Sequence, residues 1–566
     1  MKAALANVPA DAAAFVCLPN LKALDGDVQR AITSLGLDMF VPPPMNSVVT
    51  MIKMNLPMLA GLDESQPVAL VVMPVKSMAE MDAHTALLFS ASDPKAVLEG
   101  MGGTVNDEGV WAINVMGQSQ LAALNDHKIV IGKDAEVVQA IAKSTTSVVT
   151  TMNKGELAAL DALDLAVWIN GERLFTPLKP MINGMLMMVM MQAQSSGAMT
   201  PEMMDQNRKQ LEEVIDGLGS VLVGVSVQDA GIGIRGAMTA KPKSTFAAKM
   251  KIKTTTGSLF TGLPGSTFIA AYGQIMDPEL VKTQLDQMDP LAKMATDAGV
   301  DEAHAKKLVA IIKEAVVMLE GVRFSVTGLD SEKSGLLGLS GVIATTDAPR
   351  MIELDEQAFG IIKDMVKQAA AKSDDVDADT VSDVLALLTF KRDAETIGGV
   401  KVSQFRVDHE KLAELTDGDE EDVATLLRIV GEEGILFRVG AVNKSTLITA
   451  FGGGPARFAK LVAAARSNNA PLDDNVGIKN VSGNLPKARA SVFFVDANEI
   501  MAAAQRVSNA AGQQPLPVQL PKLDAPLAMA STGGNGWARV DLFVPTALIR
   551  GIKDAAMAGA AASGQQ

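Results

Sequence analysis

The sequence is poor in the residue that forms disulfides and thiolate metal clusters. Its single cysteine, Cys17, lies in the apolar run AAFVCLPNL. One cysteine excludes an intramolecular disulfide and a cysteine-rich zinc site. We expect Cys17 to be a small buried hydrophobic residue. The lack of disulfides does not fix the compartment, because many exported bacterial proteins also lack them.

Positive charge is also scarce. The chain has 50 Lys and Arg residues against 65 Asp and Glu residues, which gives a formal net charge of −15. It has neither a basic run nor an aromatic stacking platform, whereas binding to nucleic-acid phosphates needs clustered Lys and Arg. This balance excludes a nucleic-acid surface, and it would repel anionic lipids.

Long hydrophobic runs are absent as well. No apolar segment reaches the roughly 18 residues of a spanning helix, since MINGMLMMVMM (residues 181–191) is shorter and contains Asn183 and Gly184. We therefore predict no transmembrane span. The apolar core of a signal peptide has no room before Asn7, yet the preceding Ala-Leu-Ala has the small-x-small pattern of a cleavage site. We favour an export signal that is trimmed or truncated here, and a plain cytoplasmic start is the alternative.

Apolar residues, by contrast, are abundant along the whole chain. Of the 566 residues, 48% are hydrophobic and 20% are charged. This is the composition of a globular protein with ample core, and not that of a disordered chain. The length predicts several domains.

A first repeated unit is a short apolar strand that turns directly into a helix. It occurs in stretches that begin at residues 8, 163, 263 and 485. The third copy reads LPGSTFIAAYGQIMDPELVKTQLDQM, in which Asp277 is a predicted N-cap and Pro278 takes the first helical position.

A second repeated unit is a β-hairpin followed by a helix. In one copy Val221, Val223, Val225 and Val227 alternate with other residues, which is the pattern of a strand with one covered face. The unit begins at four places: Pro67, Ser220, Val322 and Leu527.

Both units recur in a similar order in the two parts of the chain, which predicts a duplicated α+β fold. We expect mainly antiparallel sheets covered by helices. The predicted domains are an N-terminal α+β half, residues 1–257, and a C-terminal α+β half, residues 258–566. The region around residues 251–262 is the predicted linker. The second half carries extra predicted helices at 353–388 and 409–430.

No pattern in the sequence indicates catalysis or a metal centre. The four histidines, His84, His127, His304 and His409, are isolated from one another, and HExxH and GxSxG do not occur. We expect surface histidines, no catalytic or metal-binding residues, and no required metal, nucleotide or covalent cofactor. Paired acids that meet only in space are the alternative.

Two further patterns have both a functional and a structural interpretation. FGGGPARFAK (residues 451–460) follows a predicted strand and opens a helix, but it lacks the ending of a phosphate loop, so a tight turn is favoured. SDDVDADTVSDVL places Asp375, Asp377 and Asp379 at calcium-loop spacing without the required Gly and Glu. TDGDEEDVATLL (residues 416–427) is similarly acidic. Helix capping is favoured for both acidic segments, with weak calcium binding as the alternative.

Three stretches carry a resemblance to a known group of proteins. VPADAAAFVCLPNLKAL, its echo LPGSTFIAAY and the later ASVFFVDANEIM resemble long bacterial cell-envelope proteins assigned only a domain of unknown function. In that group an L-P-A-D-x-x-x-[FV] strand start follows a signal peptide. The resemblance covers most of the chain. It implies export and an α+β repeat fold, and it transfers no catalytic residues.

Methionine is concentrated in two segments of the N-terminal half. PMINGMLMMVMMQ (residues 180–192) is apolar all round, which predicts a helix buried on several sides. Core packing is the favoured interpretation of both segments. The alternative is that they line an apolar groove for a lipid-like ligand or a partner helix, while Cu(I) is least favoured because no His or Cys accompanies them. The candidate ligand-binding residues are Met51, Met54, Met58, Met181, Met185, Met187, Met188 and Met190.

Taken together, these patterns favour a non-enzymatic exported binding or scaffold protein of a bacterial envelope or periplasm. An apolar groove for a lipid-like ligand or a protein partner is the most specific role that they suggest. The alternative is a cytoplasmic enzyme whose site is assembled only in space. The residues identify neither the ligand nor the oligomeric state.

Overall fold

A computed structural model describes the chain except for residues 39–40, 44, 56–60, 196–200, 286–291, 293–295, 297–299, 372–377, 410, 412–419, 514–522, 524 and 564–566. The chain divides into two compact units. Unit 1 comprises Met1–Ile252 and Gly533–Thr546, and unit 2 comprises Lys253–Thr532 and Ala547–Gln566.

The strands are short and follow one another mostly as hairpins. Those of the first part of the chain are β1 (Ala14–Leu18), β2 (Val68–Val72), β3 (Thr85–Ser90), β4 (Thr104–Val105), β5 (Val110–Val115), β6 (Gln118–Asn125), β7 (Lys128–Gly132), β8 (Leu165–Asn170), β9 (Leu218–Gln228) and β10 (Gly231–Ala240). Those of the second part are β11 (Ala270–Ile275), β12 (Leu319–Ser331), β13 (Gly335–Thr345), β14 (Leu388–Ile397), β15 (Val400–Val407), β16 (Leu436–Asn443), β17 (Thr446–Phe451), β18 (Ser491–Val495), β19 (Leu527–Gly534) and β20 (Trp537–Pro545).

Helices connect the strands and hairpins. In the first part of the chain they are α1 (Leu21–Ser34), α2 (Val48–Asn55), α3 (Pro94–Gly100), α4 (Ala135–Lys143), α5 (Lys154–Ala159), α6 (Thr176–Ser195), α7 (Pro201–Gly217) and α8 (Thr245–Lys249). In the second part they are α9 (Pro278–Leu285), α10 (Glu302–Met318), α11 (Ala348–Ala371), α12 (Ala378–Leu387), α13 (Glu420–Val430), α14 (Gly454–Ser467), α15 (Val476–Ser482), α16 (Ala497–Ala510) and α17 (Thr546–Ser563).

The sheet of unit 1 is antiparallel throughout. Its strand order is β4-β5-β6-β7-β3-β2-β1-β8-β9-β10-β20. The last strand comes from far along the chain, because β20 pairs with β10 from Gly231↔Pro545 to Thr239↔Trp537. For this reason unit 1 includes Gly533–Thr546, whereas the sequence-based division at residue 257 is contiguous.

Unit 2 repeats this order. Its sheet runs β14-β15-β16-β17-β13-β12-β11-β18-β19, again with only antiparallel pairs. The series is the same as that of the first nine strands in the order of unit 1, with each strand number raised by ten. The predicted α+β fold of two related halves is therefore confirmed, and the strand-helix units at residues 8 and 263 occupy equivalent central positions as β1 and β11.

Capping side chains explain why the strands turn directly into helices. Asn20 follows β1 and accepts a hydrogen bond from the backbone N–H of Ala23 at 2.8 Å. Asp496 follows β18 and caps α16 in the same way. The predicted helices at 353–388 correspond to α11 and α12, with residues 372–377 outside the described part of the chain. The one at 409–430 corresponds to α13 in its described portion.

One face of the unit 1 sheet holds the main core of that unit. Phe15 and Trp168 stack there with ring centroids 5.5 Å apart, and both are buried. Cys17 lies on the same face of β1 and is fully buried, as predicted. Burial raises the pKa of its thiol to about 12, because the low-dielectric core disfavours the thiolate.

Candidate functional site

The opposite face of the unit 1 sheet is apolar. It carries a second core cluster at one end, and the remainder, formed by β2, β1, β8, β9, β10 and β20, is only partly covered, so we call this part the open face. In an antiparallel sheet, directly opposed residues point to the same side. The pairings of β2, β1, β8, β9, β10 and β20 therefore place three rows of side chains on this face. The central row is Leu70, Val16, Val167, Val223, Gly236 and Val540. The flanking rows include Ala14, Ile169, Val221, Met238 and Ala538 on one side and Leu165, Val225, Ile234 and Leu542 on the other.

The open face exposes several large apolar side chains. Its most exposed members are between 40% and 45% accessible: Leu70, Val223, Ile234, Met238 and Val540. These five residues lie on four different strands of one contiguous surface. Contiguous exposed apolar patches mark sites of interaction with a ligand, a membrane or another protein.

Polarity is inverted between the two faces of this sheet, because charged side chains lie on the covered face. Asp541 is 5% exposed and accepts hydrogen bonds from Arg235 Nε at 2.7 Å and from Arg539 Nη2 at 2.6 Å. Glu156 of α5 is buried on this side as well and accepts from Trp168 Nε1 at 2.8 Å. Groups of this kind are buried without a large cost only when they have ion-pair or hydrogen-bond partners. The side chains of the open face, by contrast, have no charge.

Strand β9 has one covered face, as the alternation of its valines predicts, but the valines lie on the other face. The valine alternation predicts a covered face, but Val223 is 45% exposed, while the covered positions are Leu222 and its small or polar neighbours Ser220 and Ser226. A period of two shows that a strand has two faces, but not which of them is covered.

Unit 2 has an equivalent apolar row on its own sheet. Phe324, Tyr272, Phe493 and Met529 are directly opposed across β12, β11, β18 and β19. The ring centroids of Tyr272 and Phe324 are 5.3 Å apart, and those of Tyr272 and Phe493 are 6.4 Å apart. Met529 is 39% exposed. Both copies of the duplicated sheet therefore present apolar side chains at this position.

The methionine-rich helix α6 begins at the edge of the open face. After β8, Asn170 accepts a hydrogen bond from the N–H of Arg173 at 3.0 Å, and a π-helical turn (Gly171–Phe175) leads into α6. Leu174 and Leu178 are buried in a small cluster against residues that include Ala14 and Ile169 of the open face. The base of α6 is thus fixed to the sheet.

The predicted burial of the methionine segment is wrong for most of its length. Met190 is 5% exposed, but six other apolar residues that follow the base are far more accessible. We call them the methionine surface. Its members are between 42% and 64% exposed: Met181, Met185, Met187, Met188, Val189 and Met191. The core covers only the first turns of α6, and the apolar residues after those turns are exposed.

The other candidate methionines lie on α2. Met51 and Met54 are exposed, while Val49 is buried and Ile52 packs against the same core cluster. This cluster is distinct from the one that holds Leu174 and Leu178 of α6. Met58 lies outside the described residues. The two predicted methionine stripes are thus attached to different parts of the core of unit 1.

The structure joins residues 181–191 to the helical segment before them. The resulting segment, Gly171–Gln192, is long and apolar enough for a membrane span by length and composition, the only such segment in the described part of the chain. The sequence prediction of no span considered residues 181–191 alone.

The remaining sequence candidates form no reaction centre in the described ranges. His127 is exposed, and His84, His304 and His409 are partly buried. His304 Nδ1 lies 2.9 Å from Asp301 at the start of α10. No three His, Cys, Asp or Glu side chains among the residues with described positions converge as metal ligands. Asp375 and Asp377 lie outside those residues, whereas Asp379 lies in the first turn of α12.

The glycine run before α14 is explained by the turn itself. Gly452, Gly453 and Gly454 all have positive φ, between 62° and 74°. A Cβ on Gly452 would lie 2.1 Å from the carbonyl oxygen of Leu337. Glycine is the residue that adopts this conformation without strain, so the tight-turn interpretation accounts for the run.

Comparison with known proteins adds little to this geometry. No protein-family model and no curated protein matches the chain. Three crystal forms of a protein named TP0453 are similar at 9–10% sequence identity. Form III covers 53% of this chain and 100% of its own with a TM-score of 0.21, and form IV covers 54% and 98% with a TM-score of 0.20. TM-scores this low do not establish a shared fold.

Proposed function

We propose that this protein is a non-enzymatic, exported binding protein of the bacterial envelope that holds an acyl chain on the open face of unit 1. The observation that carries the proposal is the inverted polarity of the sheet. Apolar side chains occupy the accessible face, while Asp541 and its arginine partners occupy the covered one. A ligand that removes the open face from water gains roughly 25 cal/mol for each Å² of apolar surface buried.

The chemistry of the open face favours hydrocarbon over a protein partner. Protein interfaces carry about one hydrogen bond per 100–200 Å² and have a polar rim. The central row, from Leu70 to Val540, offers neither a charged nor a hydrogen-bonding side chain. An acyl chain needs no hydrogen-bond partners, so this surface leaves none of its groups unsatisfied.

The dimensions of the open face also suit an acyl chain. The central row crosses six strands, and neighbouring strands lie about 4.8 Å apart, so the row is about 24 Å long. One leaflet of a bilayer contributes about half of the roughly 30 Å hydrocarbon thickness. A single lipid chain therefore fits along the row without extending beyond the sheet.

The envelope location rests on the resemblance of the strand starts to those of the bacterial envelope group. Fractionation of cells that express the full-length gene tests it. Recovery of the chain from the periplasm or envelope supports export, and recovery from the cytoplasm contradicts it.

Displacement of a fluorescent fatty acid tests the binding function. We expect saturable binding by the wild-type chain and roughly 30-fold weaker binding by the double variant Val223→Gln/Val540→Gln, because each change removes about 1 kcal/mol of apolar contact. Val105→Gln is the matched control, since Val105 is 54% exposed on β4, away from the six strands of the open face. It should bind like the wild type.

Two results would overturn the proposal. One is the absence of saturable fatty-acid binding by the wild-type chain. The other is a wild-type dimer in size-exclusion chromatography with light scattering that dissociates in Val223→Gln/Val540→Gln, since a second copy would then be the occupant of the open face.

A further inference from the structure

The methionine surface of α6 is unusual because its accessible side chains are free of charge. Lys179 is the last charged residue before it, and its Nζ lies 2.7 Å from Asp216 Oδ1 of α7. From residue 180 to residue 195 the helix carries no Asp, Glu, Lys or Arg. The residues of this segment therefore bring no ionised group of their own into a hydrocarbon environment, and burial of such a group is the most costly element of such a transfer.

The angular distribution of the exposed residues distinguishes between possible partners. An α-helix turns by about 100° per residue, so Met181, Met185, Met187, Met188, Val189 and Met191 span roughly 200° of the circumference of α6. Met190, on the remaining side, is 5% exposed. A protein groove of ordinary depth covers one face of a helix, whereas lipid surrounds every side that enters it. The wide arc therefore favours a bilayer.

The attachment of the base of α6 to the sheet limits how deeply the helix can enter a bilayer. Leu174 and Leu178 are buried against the sheet, and Arg173 Nη1 donates to the carbonyl oxygen of Ala10 at 2.6 Å. A full span by Gly171–Gln192 would break these contacts. The segment from residue 180 to residue 195 is about 24 Å long at 1.5 Å per residue. It is too short to cross the roughly 30 Å hydrocarbon core and longer than one leaflet of about 15 Å, so it fits within one leaflet only at an oblique angle.

We infer that the methionine surface inserts α6 into one leaflet of a zwitterionic lipid bilayer, with the helix base remaining on the protein. The charge of the chain supports the choice of lipid, because a net charge of −15 opposes approach to an anionic surface. The flexible thioether side chains adapt to disordered acyl chains. The inference rests on the proposed function and deepens it. The bilayer would be the source of the acyl chain that binds the open face.

Vesicle flotation with the full chain tests this inference. We expect the wild-type chain to float with phosphatidylcholine vesicles, with little change when the salt concentration is raised, because the contact is uncharged. Met185→Gln/Met188→Gln should lower the partition coefficient roughly tenfold. Met116→Gln is the matched control: Met116 is 73% exposed at a turn between two strands, and the variant should float like the wild type.

The inference is overturned if the wild-type chain stays with the unbound protein. It is also overturned if Met116→Gln and the double α6 variant lose binding equally, or if flotation requires anionic lipid. Fatty-acid displacement keeps the two proposals separate. Met185→Gln/Met188→Gln should retain fatty-acid binding in solution, whereas Val223→Gln/Val540→Gln should bind the fatty acid roughly 30-fold more weakly and still float.

Discussion

Leu222 and Val223 are consecutive residues of β9 in opposite environments: Leu222 is fully buried and Val223 is 45% exposed. The two side chains have similar chemistry, so the difference comes from the sheet face that each one occupies. Leu222 opposes Trp168 in the core, and Val223 opposes Val167 on the open face. The open face and the core thus share one strand.

A first prediction compares truncation at these two positions. Leu222→Ala should lower the free energy of unfolding of unit 1 by about 2–4 kcal/mol, because it leaves a cavity in a packed core. Val223→Ala should cost less than about 1 kcal/mol, since its side chain is already in contact with water. Urea unfolding followed by tryptophan fluorescence measures both, because all three tryptophans lie in unit 1. Equal losses would contradict the assignment of the faces.

A second prediction concerns the charges on the covered face. Asp541→Ala should destabilise unit 1 by about 3–5 kcal/mol, because it leaves Arg235 and Arg539 buried without their carboxylate. The control is Asp229→Ala, which removes an exposed partner of Arg30 and should cost less than about 1 kcal/mol. The same fluorescence measurement checks both variants. A small effect of Asp541→Ala would show that the covered face admits water.

A third prediction concerns Cys17. Its buried thiol, with a pKa of about 12, should react with a thiol reagent at pH 8 at least 100-fold more slowly in the native chain than in the unfolded one. The raised pKa also has a consequence for stability. Between pH 9 and pH 12 the folded thiol keeps a proton that the unfolded thiol loses, so unfolding becomes easier as the pH rises through this window. Rapid native labelling would contradict the burial of Cys17.

The sequence was sufficient to predict the repeated units, because each depends on local features. Proline or Asp/Asn at the strand-to-helix turn, and Asp and Gly in turns between strands such as Asp229 and Gly231, define the units wherever they occur. Cys17 was predicted correctly for a similar reason, since its whole neighbourhood is apolar. The pairing of β20 with β10 of unit 1 was not predictable. Neither the sequence around Gly231 nor that around Pro545 contains a local pattern that indicates its distant partner.

The candidate site was only partly predictable. The methionines of α6 were identified, but their exposure was not, because an all-round apolar helix is usually buried and nothing local shows where the core ends. The exposure of the open face was not predicted, because polarity along β9 suggests the wrong face as the exposed one. Ser220 and Ser226 look like solvent-facing residues beside Val223, yet they are buried, and the valine is exposed. Only the sheet pairing reveals which residues share a face.

Methyl NMR of the chain labelled with ¹³C-methionine tests the central claim most directly, because native methionines report on each surface without a binding-site substitution. Met238 lies on the open face of unit 1, and the more exposed Met116 lies at a turn outside it. With a fatty acid that carries a nitroxide on its chain, the account predicts saturable broadening of the Met238 methyl resonance and an unchanged Met116 resonance. Equal broadening of both resonances, or an unaffected Met238 at saturating fatty acid, would contradict acyl-chain binding on the open face.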